Sequence, residues 1–409
     1  MGPSRIGIVG AGVMGAGIAR LLSGLGATTI VVAPRPGGVA RAAQMIQRYY
    51  ASDVTHGRLH ADEALAGLAH VQITPRYADL ADASFVVESV AEDLAAKQDV
   101  RAAVEAHTPP ECVFATNTSS IPIAEIASGA SRPGNVIGTH YFWPAHRYRL
   151  LEIVQAAATS ESTLQRTLAF ARWQEKTPLL ARDVPGFFTT RVLLVYLNEA
   201  VALVAEGAPL DAVDQAMIAF GWAMGPFRLL DAVGIENLRG IYQAIHHHLR
   251  DRLSDLHRLW PVLEAGHVGS KGRRHEHAKG FYLYPGGVEV DVRVYPLIRR
   301  RVGAPPTAVE VSTRPVWQMI NEIGHCLAEG VVASADDADL GAVLGLGWPP
   351  IHDTPLAYAR RAGVRTIVEQ LQAWAQRLGP RFIPSPGLVA SSALGPSAVH
   401  NAKQHVRMM

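Results

Sequence analysis

A glycine-rich stretch near the N-terminus constrains the fold of this chain more than any other feature. The apolar run Ile6-Gly7-Ile8-Val9 leads into Gly10-Ala11-Gly12-Val13-Met14-Gly15, and residues with helical spacing follow. In this G-x-G-x-x-G pattern the first glycine makes a turn, the second admits a pyrophosphate and the third lets a helix pack on a strand. A β-rich run at 28–33 closes a βαβ unit. We therefore predict a dinucleotide site with the phosphates at the helix N-terminus; a glycine turn that binds nothing is the alternative. The predicted contacts are Gly10, Gly12, Val13, Met14 and Gly15.

Short β-rich runs alternate with helical stretches over the first 183 residues. The runs are residues 6–9, 29–32, 71–74, 85–88, 113–116 and 135–138. Such alternation is typical of a mostly parallel sheet covered by helices, and ligands of these sheets bind at the carboxyl ends of the strands. The pattern predicts a doubly wound α/β Rossmann domain over residues 1–183.

The remainder of the sequence is helical. Long helical runs at 187–206, 210–220 and 225–248 follow Asp183, then residues 284–306 are rich in Pro and Gly, and the helical pattern resumes at Thr313. We predict one helical domain at 184–285, a linker at 286–312 and a second helical domain at 313–409.

The second helical segment repeats the first. Identities that keep register over a long segment indicate a duplication, although two merely similar helix pairs are the simpler alternative. The matches at an offset of 123 residues are Thr190-Arg191 with Thr313-Arg314, Asn198-Glu199 with Asn321-Glu322, Glu206-Gly207 with Glu329-Gly330, and Asp214 with Asp337; Gly221-Trp222 and Gly347-Trp348 match after a slip of three residues.

Charge and cysteine content exclude several classes of protein. The 38 basic and 36 acidic residues give a net charge of +2, so no global field favours nucleic acid or a membrane. The two cysteines cannot form a disulfide framework, and no apolar run is long enough to span a bilayer. A cytoplasmic enzyme is the expectation. No metal site is expected, because the consecutive residues His246-His247-His248 diverge around a helix and cannot share one ion.

The motifs taken together resemble the L-3-hydroxyacyl-CoA dehydrogenase family, most closely the dehydrogenase half of multifunctional fatty-acid oxidation enzymes without their hydratase half. The resemblance implies a Rossmann domain followed by two tandem all-α domains of the family's C-terminal type. The residues that carry it are the glycine stretch, Glu88-Ser89-Val90-Ala91-Glu92-Asp93, Asn117-Thr118-Ser119-Ser120, Gly138-Thr139-His140-Tyr141-Phe142, Leu151-Glu152, Asp183-Val184-Pro185-Gly186-Phe187, Gly225-Pro226-Phe227, Lys279-Gly280-Phe281-Tyr282 and Gly347-Trp348-Pro349-Pro350.

The chemistry that the family carries out fits these residues. Hydride transfer from a secondary alcohol needs a base for the hydroxyl proton, and imidazole suits that task because it titrates near neutrality. His140, which follows the run 135–138, is the candidate base. The resemblance implies that Glu152 orients and charges the imidazole and that Ser119 bonds the substrate oxygen.

Other site residues are also implied by the resemblance. Glu92, Lys97 and Asn117 match positions near the cofactor, with Lys97 toward the acyl-CoA entrance; a solvated Glu92–Lys97 pair on a helix is the alternative for those two. Thr190, from the helical part, stands where the family usually has an asparagine that closes the active site.

Three departures from the family bear on specificity. The acidic residue expected after the second strand is absent, and the sequence there is Ala33-Pro34-Arg35. Without that carboxylate, and with Arg35 able to pair with a 2′-phosphate, NADP(H) is favoured over NAD(H); a solvated loop arginine is the alternative. Trp143 and Thr190 replace amide side chains, which predicts an altered acyl pocket, unless Trp143 only supports the loop.

We therefore predict an NAD(P)-dependent oxidoreductase of fatty acid metabolism that interconverts 3-hydroxyacyl and 3-oxoacyl thioesters of CoA or a carrier protein. One alternative is a ketoreductase of specialised, polyketide-like metabolism that acts on a carrier-bound or bulky carbonyl. Another is a catalytically silent protein that binds acyl-CoA or a dinucleotide. The duplication predicts a monomer or weak homodimer, with the two helical domains packed on each other within one chain.

Overall fold

The chain forms two compact units, Met1–Phe187 and Phe188–Met409. The structure is a computed structural model that describes residue 3 and residues 5–269, 279–284, 289–298 and 303–393. The first unit holds the sheet, and the second holds both helical segments that the sequence predicts.

An eight-stranded sheet organises the first unit. Its spatial order is β3-β2-β1-β4-β5-β6-β7-β8. Strands β1 to β6 are mutually parallel, β7 is antiparallel to β6, and β8 is parallel to β7. The strands are β1 Arg5–Val9, β2 Thr28–Val32, β3 Val71–Thr74, β4 Phe85–Glu88, β5 Val113–Thr116, β6 Val136–Tyr141, β7 Leu150–Gln155 and β8 Thr177–Arg182.

The predicted parallel sheet is thus confirmed, and its antiparallel edge was missed. The sequence did not predict β7 or β8, because a charged Glu152 interrupts the apolar run of β7 and because β8 is partly exposed. The prediction that the sixth strand ends at Gly138 is wrong, since β6 continues to Tyr141.

Helices cover both faces of the sheet. Alternate residues of each strand enter opposite cores: Ile8 belongs to the core under α1 and α2, and Val9 to the core on the other face. The helices of this unit are α1 Val13–Gly24, α2 Gly38–Thr55, α3 Ala61–Ala69, α4 Leu94–His107, α5 Ile123–Ile126 and α6 Glu161–Trp173.

The second unit is helical over its described residues and lacks a sheet there. The longest helices, α7 and α12, pack against each other. The helices are α7 Thr189–Ala205, α8 Leu210–Phe220, α9 Pro226–Val233, α10 Ile235–Ile245, α11 Trp260–Glu264, α12 Ala308–Ala328, α13 Ala335–Leu346, α14 Pro355–Ala362, α15 Val364–Leu378 and α16 Pro386–Ala393.

Two helix boundaries differ from the sequence prediction. The single run predicted at 225–248 is broken at Gly234, whose φ of 88° ends α9, a conformation that glycine adopts without a steric penalty. The helical pattern predicted to resume at Thr313 begins earlier, at Ala308. There Thr307 and Glu310 form a reciprocal capping box, which satisfies free N–H groups of the first turn.

The duplication extends further than the sequence indicated. The break between α14 and α15 falls at Gly363, with a φ of 89°, as the break between α9 and α10 falls at Gly234. The pairing of Asp214 with Asp337 is wrong. Asp214 accepts hydrogen bonds from the N–H groups of Phe227 and Arg228 at the start of α9. The equivalent residue in the second copy is Asp339, which accepts a hydrogen bond from the N–H group of Leu356 at the start of α14. The segment between α12 and α13 is longer than the segment between α7 and α8. The 123-residue offset between the two copies therefore changes before Asp214, and not after it as the sequence indicated.

Buried ion pairs join the two copies reciprocally. Arg191 on α7 contacts Glu322 on α12 at 2.7 Å, and Arg314 on α12 contacts Glu199 on α7. These residues are equivalent under the 123-residue offset, so each copy gives the other one arginine and one glutamate. Four further residues extend the pattern in the same reciprocal way: Arg252 and Glu329 join the first cluster, and Arg381 and Glu206 join the second.

No helix within the described part of the chain is both long enough and apolar enough to cross a membrane.

Candidate active site

The glycine turn has the geometry that a pyrophosphate requires. Gly10 has a φ of 96°, and a Cβ at Gly15 would lie 1.9 Å from the Gly10 carbonyl oxygen, so both positions need glycine. A Cβ at Gly12 would meet nothing within 4 Å, which leaves open space beside the backbone. Helix α1 begins at Val13 with no side-chain cap on Gly12 and no acidic residue in its first turn. Its first N–H groups are therefore available to an anion.

The loop after β2 carries no carboxylate. Ala33 is buried and Pro34 is exposed, and the side chain of Arg35 is exposed to solvent. A second arginine, Arg41 on α2, folds back onto this loop and donates a hydrogen bond to the Pro36 carbonyl at 2.9 Å. Two guanidinium groups therefore lie on the segment that follows β2.

A buried charge cluster lies at the carboxyl end of β4. The Lys97 ammonium, with 1% of the side chain exposed, donates to Glu88 Oε1 and Oε2 at 2.9 and 3.0 Å. It also lies 3.3 Å from Glu92 Oε2. The alternative of a solvated Glu92–Lys97 pair on a helix is therefore wrong, because Lys97 is buried and Glu92 lies in the turn before α4.

Glu92 holds the turn that carries Ser119. Its Oε1 accepts hydrogen bonds from Thr118 Oγ1 at 2.6 Å, the Ser119 N–H at 3.0 Å and Ser120 Oγ at 2.8 Å. Burial opposes ionisation of this carboxyl, but Lys97 and the donated hydrogen bonds outweigh it and lower the pKa of Glu92. The result is a fixed carboxylate that positions the Ser119 backbone.

Asn117 follows β5 and ties it to β6. Its Oδ1 accepts the Tyr141 N–H at 2.8 Å, and its Nδ2 donates to Ser89 Oγ at 3.4 Å. Asn117 thereby connects the ends of β4, β5 and β6, the edge of the sheet where ligands of this architecture bind.

His140 and Glu152 face each other across the one antiparallel strand pair at this edge. The sheet register places the two residues directly opposite each other on β6 and β7, and His140 Nδ1 lies 2.9 Å from Glu152 Oε2. Glu152 is fully buried, whereas the imidazole retains 12% exposure. His140 was predicted to follow its strand; it lies within β6, one residue before the end.

Two aromatic rings enclose the imidazole. The Phe142 ring centroid lies 4.6 Å from that of His140, and the Phe187 centroid lies 6.3 Å away. Phe187 is fully buried, with a φ of 48° that is uncommon for a residue with a side chain. The sequence analysis assigned no role to either ring, although each is the last residue of a motif that it used.

Trp143 extends from the loop after β6 toward α2. Its side chain is 57% exposed, and its indole Nε1 donates to Tyr49 Oη at 3.2 Å. Thr190, by contrast, lies in the first turn of α7 in the second unit, buried beside Arg191. The roles predicted for both residues stay predictions.

Sequence reasoning missed two residues of the buried cluster. Glu88 received no role, although it is fully buried and binds Lys97, and Thr116 Oγ1 donates to Glu88 Oε2 at 2.6 Å. The signal was a carboxylate at the end of a buried strand, a position where an unpaired charge would be costly.

A mostly parallel sheet with a glycine turn after its first strand, and with a histidine and a buried carboxylate where its parallel strands end, defines a dinucleotide-binding protein of the Rossmann class. Two protein-family models identify the family within this class. The model "3-hydroxyacyl-CoA dehydrogenase, NAD binding domain" matches residues 5–184, and the model "3-hydroxyacyl-CoA dehydrogenase, C-terminal domain" matches residues 186–284. The chain belongs to the 3-hydroxyacyl-CoA dehydrogenase family.

Individual relatives agree with this assignment. The chain is 35% identical over 393 residues to the fatty acid oxidation complex subunit alpha of Shewanella amazonensis, covering 95% of this chain and 55% of that protein. The M. tuberculosis protein FadB2 is 31% identical with a TM-score of 0.65, covering 70% of this chain and all of that structure. The 3-hydroxybutyryl-CoA dehydrogenase of Escherichia coli K12, at 23% identity, shares the fold with a TM-score of 0.78 over 96% of this chain and 99% of its own. The chain spans about half the length of the curated relatives it matches.

Proposed function

We propose that this protein interconverts 3-hydroxyacyl and 3-oxoacyl thioesters by NAD(P)-dependent hydride transfer. The observation that carries the proposal is the His140–Glu152 pair, held at 2.9 Å by strand register at the ligand-binding edge of a dinucleotide-binding sheet. A histidine whose Nδ1 is engaged by a buried carboxylate leaves Nε2 as the atom that exchanges a proton with a substrate hydroxyl.

The proposed division of labour follows from these contacts. In the oxidative direction Nε2 of His140 takes the hydroxyl proton, and Glu152 accepts the Nδ1–H bond and stabilises the positive charge that results. Ser119 lies in the turn that Glu92 binds, and its hydroxyl is proposed to donate to the substrate oxygen. Lys97 acts indirectly, because its ammonium is buried between Glu88 and Glu92.

The glycine turn fits a dinucleotide. Open space at Gly12 and an uncapped first turn of α1 suit a pyrophosphate, and Asn117 and Glu92 are proposed to line the site beyond it. A bound nicotinamide dinucleotide supplies the hydride acceptor or donor. The chain's own residues supply the binding surface and the proton exchange at His140.

We infer a preference for NADP(H) from the loop after β2. Support comes from the absence of a carboxylate at Ala33 and Pro34 and from the exposed guanidinium groups of Arg35 and Arg41, which suit a 2′-phosphate. The ratio of kcat/KM for NADPH to that for NADH tests this inference. It should exceed one and fall in Arg35→Ala; a clear NADH preference in the wild type would contradict it.

Turnover assays test the proposed function itself. The purified chain is mixed with NADH or NADPH and with acetoacetyl-CoA, a medium-chain 3-oxoacyl-CoA or the same acyl group on a carrier protein. Oxidation of the cofactor that depends on the thioester supports a dehydrogenase. Turnover of carrier thioesters alone would favour the ketoreductase alternative, and cofactor binding without turnover would indicate a silent binder.

A further inference from the structure

The loop between β6 and β7 packs on α1, the helix of the dinucleotide site, and hydrogen-bonds to α2. This loop, residues 142–149, begins two residues after His140 and carries Trp143, Ala145 and Arg147. A Cβ at Gly17 of α1 would lie 3.5 Å from Ala145 Cβ, so the loop packs on α1. Arg147 Nη2 donates to the buried Asp53 of α2 at 3.2 Å.

Tyr49 on α2 forms the polar part of this connection. Its hydroxyl donates to the Val13 carbonyl at 3.0 Å and accepts from Trp143 Nε1 at 3.2 Å. One oxygen therefore joins the first residue of α1 to the loop beside the candidate base. Burial raises the pKa of Tyr49, so its hydroxyl keeps the proton that it donates.

The carbonyl that Tyr49 binds belongs to the peptide unit that carries the Met14 N–H. Because a peptide unit is planar, fixing the Val13 carbonyl also fixes the direction of the Met14 N–H. That N–H is among the donors of the first helical turn that lack an intrahelical partner and would face a pyrophosphate.

We propose that Tyr49 and Trp143 are positioning residues for the dinucleotide, and that Trp143 serves the cofactor side of the site rather than the selection of the acyl group. The indole N–H donates to Tyr49 on α2, and the Tyr49 hydroxyl in turn binds the first residue of α1, the helix that would bind the phosphates. This inference rests on the proposed function only for its kinetic readout.

Dinucleotide affinity tests the proposal without requiring turnover. Equilibrium dissociation constants for NADH and NADPH are measured by fluorescence titration for Tyr49→Phe, Trp143→Phe and the double variant. Trp143→Phe loses the bond to Tyr49, and Tyr49→Phe loses both that bond and the bond to the Val13 carbonyl, so each single variant should raise Kd about 2- to 10-fold. The double variant should bind no more weakly than the weaker single variant, because both changes remove the same Trp143–Tyr49 bond.

Tyr50→Phe is the matched control. Tyr50 is the next residue of α2, and its hydroxyl lies 2.7 Å from Ser23 Oγ, near the C-terminal end of α1 rather than at the phosphate turn. Its removal perturbs the same helix pair and should leave both dissociation constants unchanged. Should Tyr49→Phe fail to fold, the exposed Trp143→Phe still carries the test.

Kinetic constants supply the second readout. KM for acetoacetyl-CoA should stay at the wild-type value in both single variants while KM for the dinucleotide rises. A changed acyl KM with an unchanged dinucleotide Kd would overturn the proposal, as would equal weakening by Tyr50→Phe or unchanged affinity in both single variants. Absence of turnover in the wild type with the expected pattern of Kd would refute the proposed function and leave this inference standing.

Discussion

Replacing Glu152 with glutamine isolates the electrostatic part of the proposed mechanism. Glu152 is fully buried on β7 and directly opposite His140, so an isosteric amide preserves packing and strand pairing. It removes the negative charge that stabilises a protonated imidazole. An amide that turns its nitrogen toward Nδ1 would also favour the wrong tautomer of the ring.

The size of the effect follows from the distance between the charges. With His140 Nδ1 2.9 Å from Glu152 Oε2, the centres of the two delocalised charges lie about 4 Å apart, which corresponds to about 4 kcal/mol at an effective dielectric constant of about 20. Since about 1.4 kcal/mol changes a rate tenfold, kcat should fall by about 10²- to 10³-fold. His140→Gln should lose at least as much. The double variant should be about as slow as His140→Gln alone, because the pair acts as one unit.

Single-turnover reduction of a 3-oxoacyl-CoA measures the chemical step without product release. Thr139→Val provides the control for local disturbance, since Thr139 neighbours His140 on β6 and its buried hydroxyl has no partner among the described residues. Glu152→Gln with near wild-type turnover and a normal thermal transition would refute the assigned roles. Equal losses in Thr139→Val would show that any change to β6 disables the site.

Three further predictions concern stability and assembly. Thr139→Val should raise the free energy of unfolding by about 1 kcal/mol, because it removes a buried unpaired hydroxyl and keeps the shape; a denaturant melt that shows destabilisation would contradict this. The Lys176 ammonium donates to the backbone carbonyls of Ala145 and Tyr148, and burial lowers the pKa of Lys176 to about 8. Because the pKa of Lys176 is lower in the folded state than in the unfolded state, the buried ammonium costs stability at pH values below the folded pKa, and this cost disappears as the pH rises toward the unfolded pKa. The free energy of unfolding of the wild type, relative to that of Lys176→Met, should therefore increase by about 2 kcal/mol between about pH 7 and about pH 10. Denaturant melts of both proteins at both pH values check this. Light scattering should show a monomer or weak dimer, because α7 and α12 already pack on each other within the chain; an obligate dimer joined through α7 would refute that reasoning.

Local pattern predicted much of the first unit correctly. The six parallel strands and the glycine turn were identified because apolar runs of strand length, separated by helical stretches, express a preference that each short segment carries by itself. The same holds for the duplication, since repeated residues can be compared without any three-dimensional information. The break of the first copy at Gly234 was missed because a single glycine within a helical pattern is compatible with a continuous helix.

The partnerships within the site required the tertiary structure. The family resemblance implied that Glu152 partners His140, but nothing in the twelve-residue spacing shows how they meet; the antiparallel pairing of β6 with β7 sets them opposite each other. Lys97 was compatible with a solvated surface position until its pairing with Glu88 showed a buried cluster. Asp339 could not be matched to Asp214 by a fixed offset, because equivalence lies in which helix each carboxylate caps.

The sequence by itself determined the class of this protein, a dinucleotide-binding sheet followed by a duplicated helical region, because periodicity, glycine placement and repetition are properties of the chain read in order. The tertiary structure decided which charges meet: His140 with Glu152, Lys97 with Glu88, Tyr49 with Trp143, and the reciprocal arginines and glutamates of α7 and α12. Those contacts depend on strand register and helix packing between distant segments, and their energies arise from burial that no short stretch of sequence reveals.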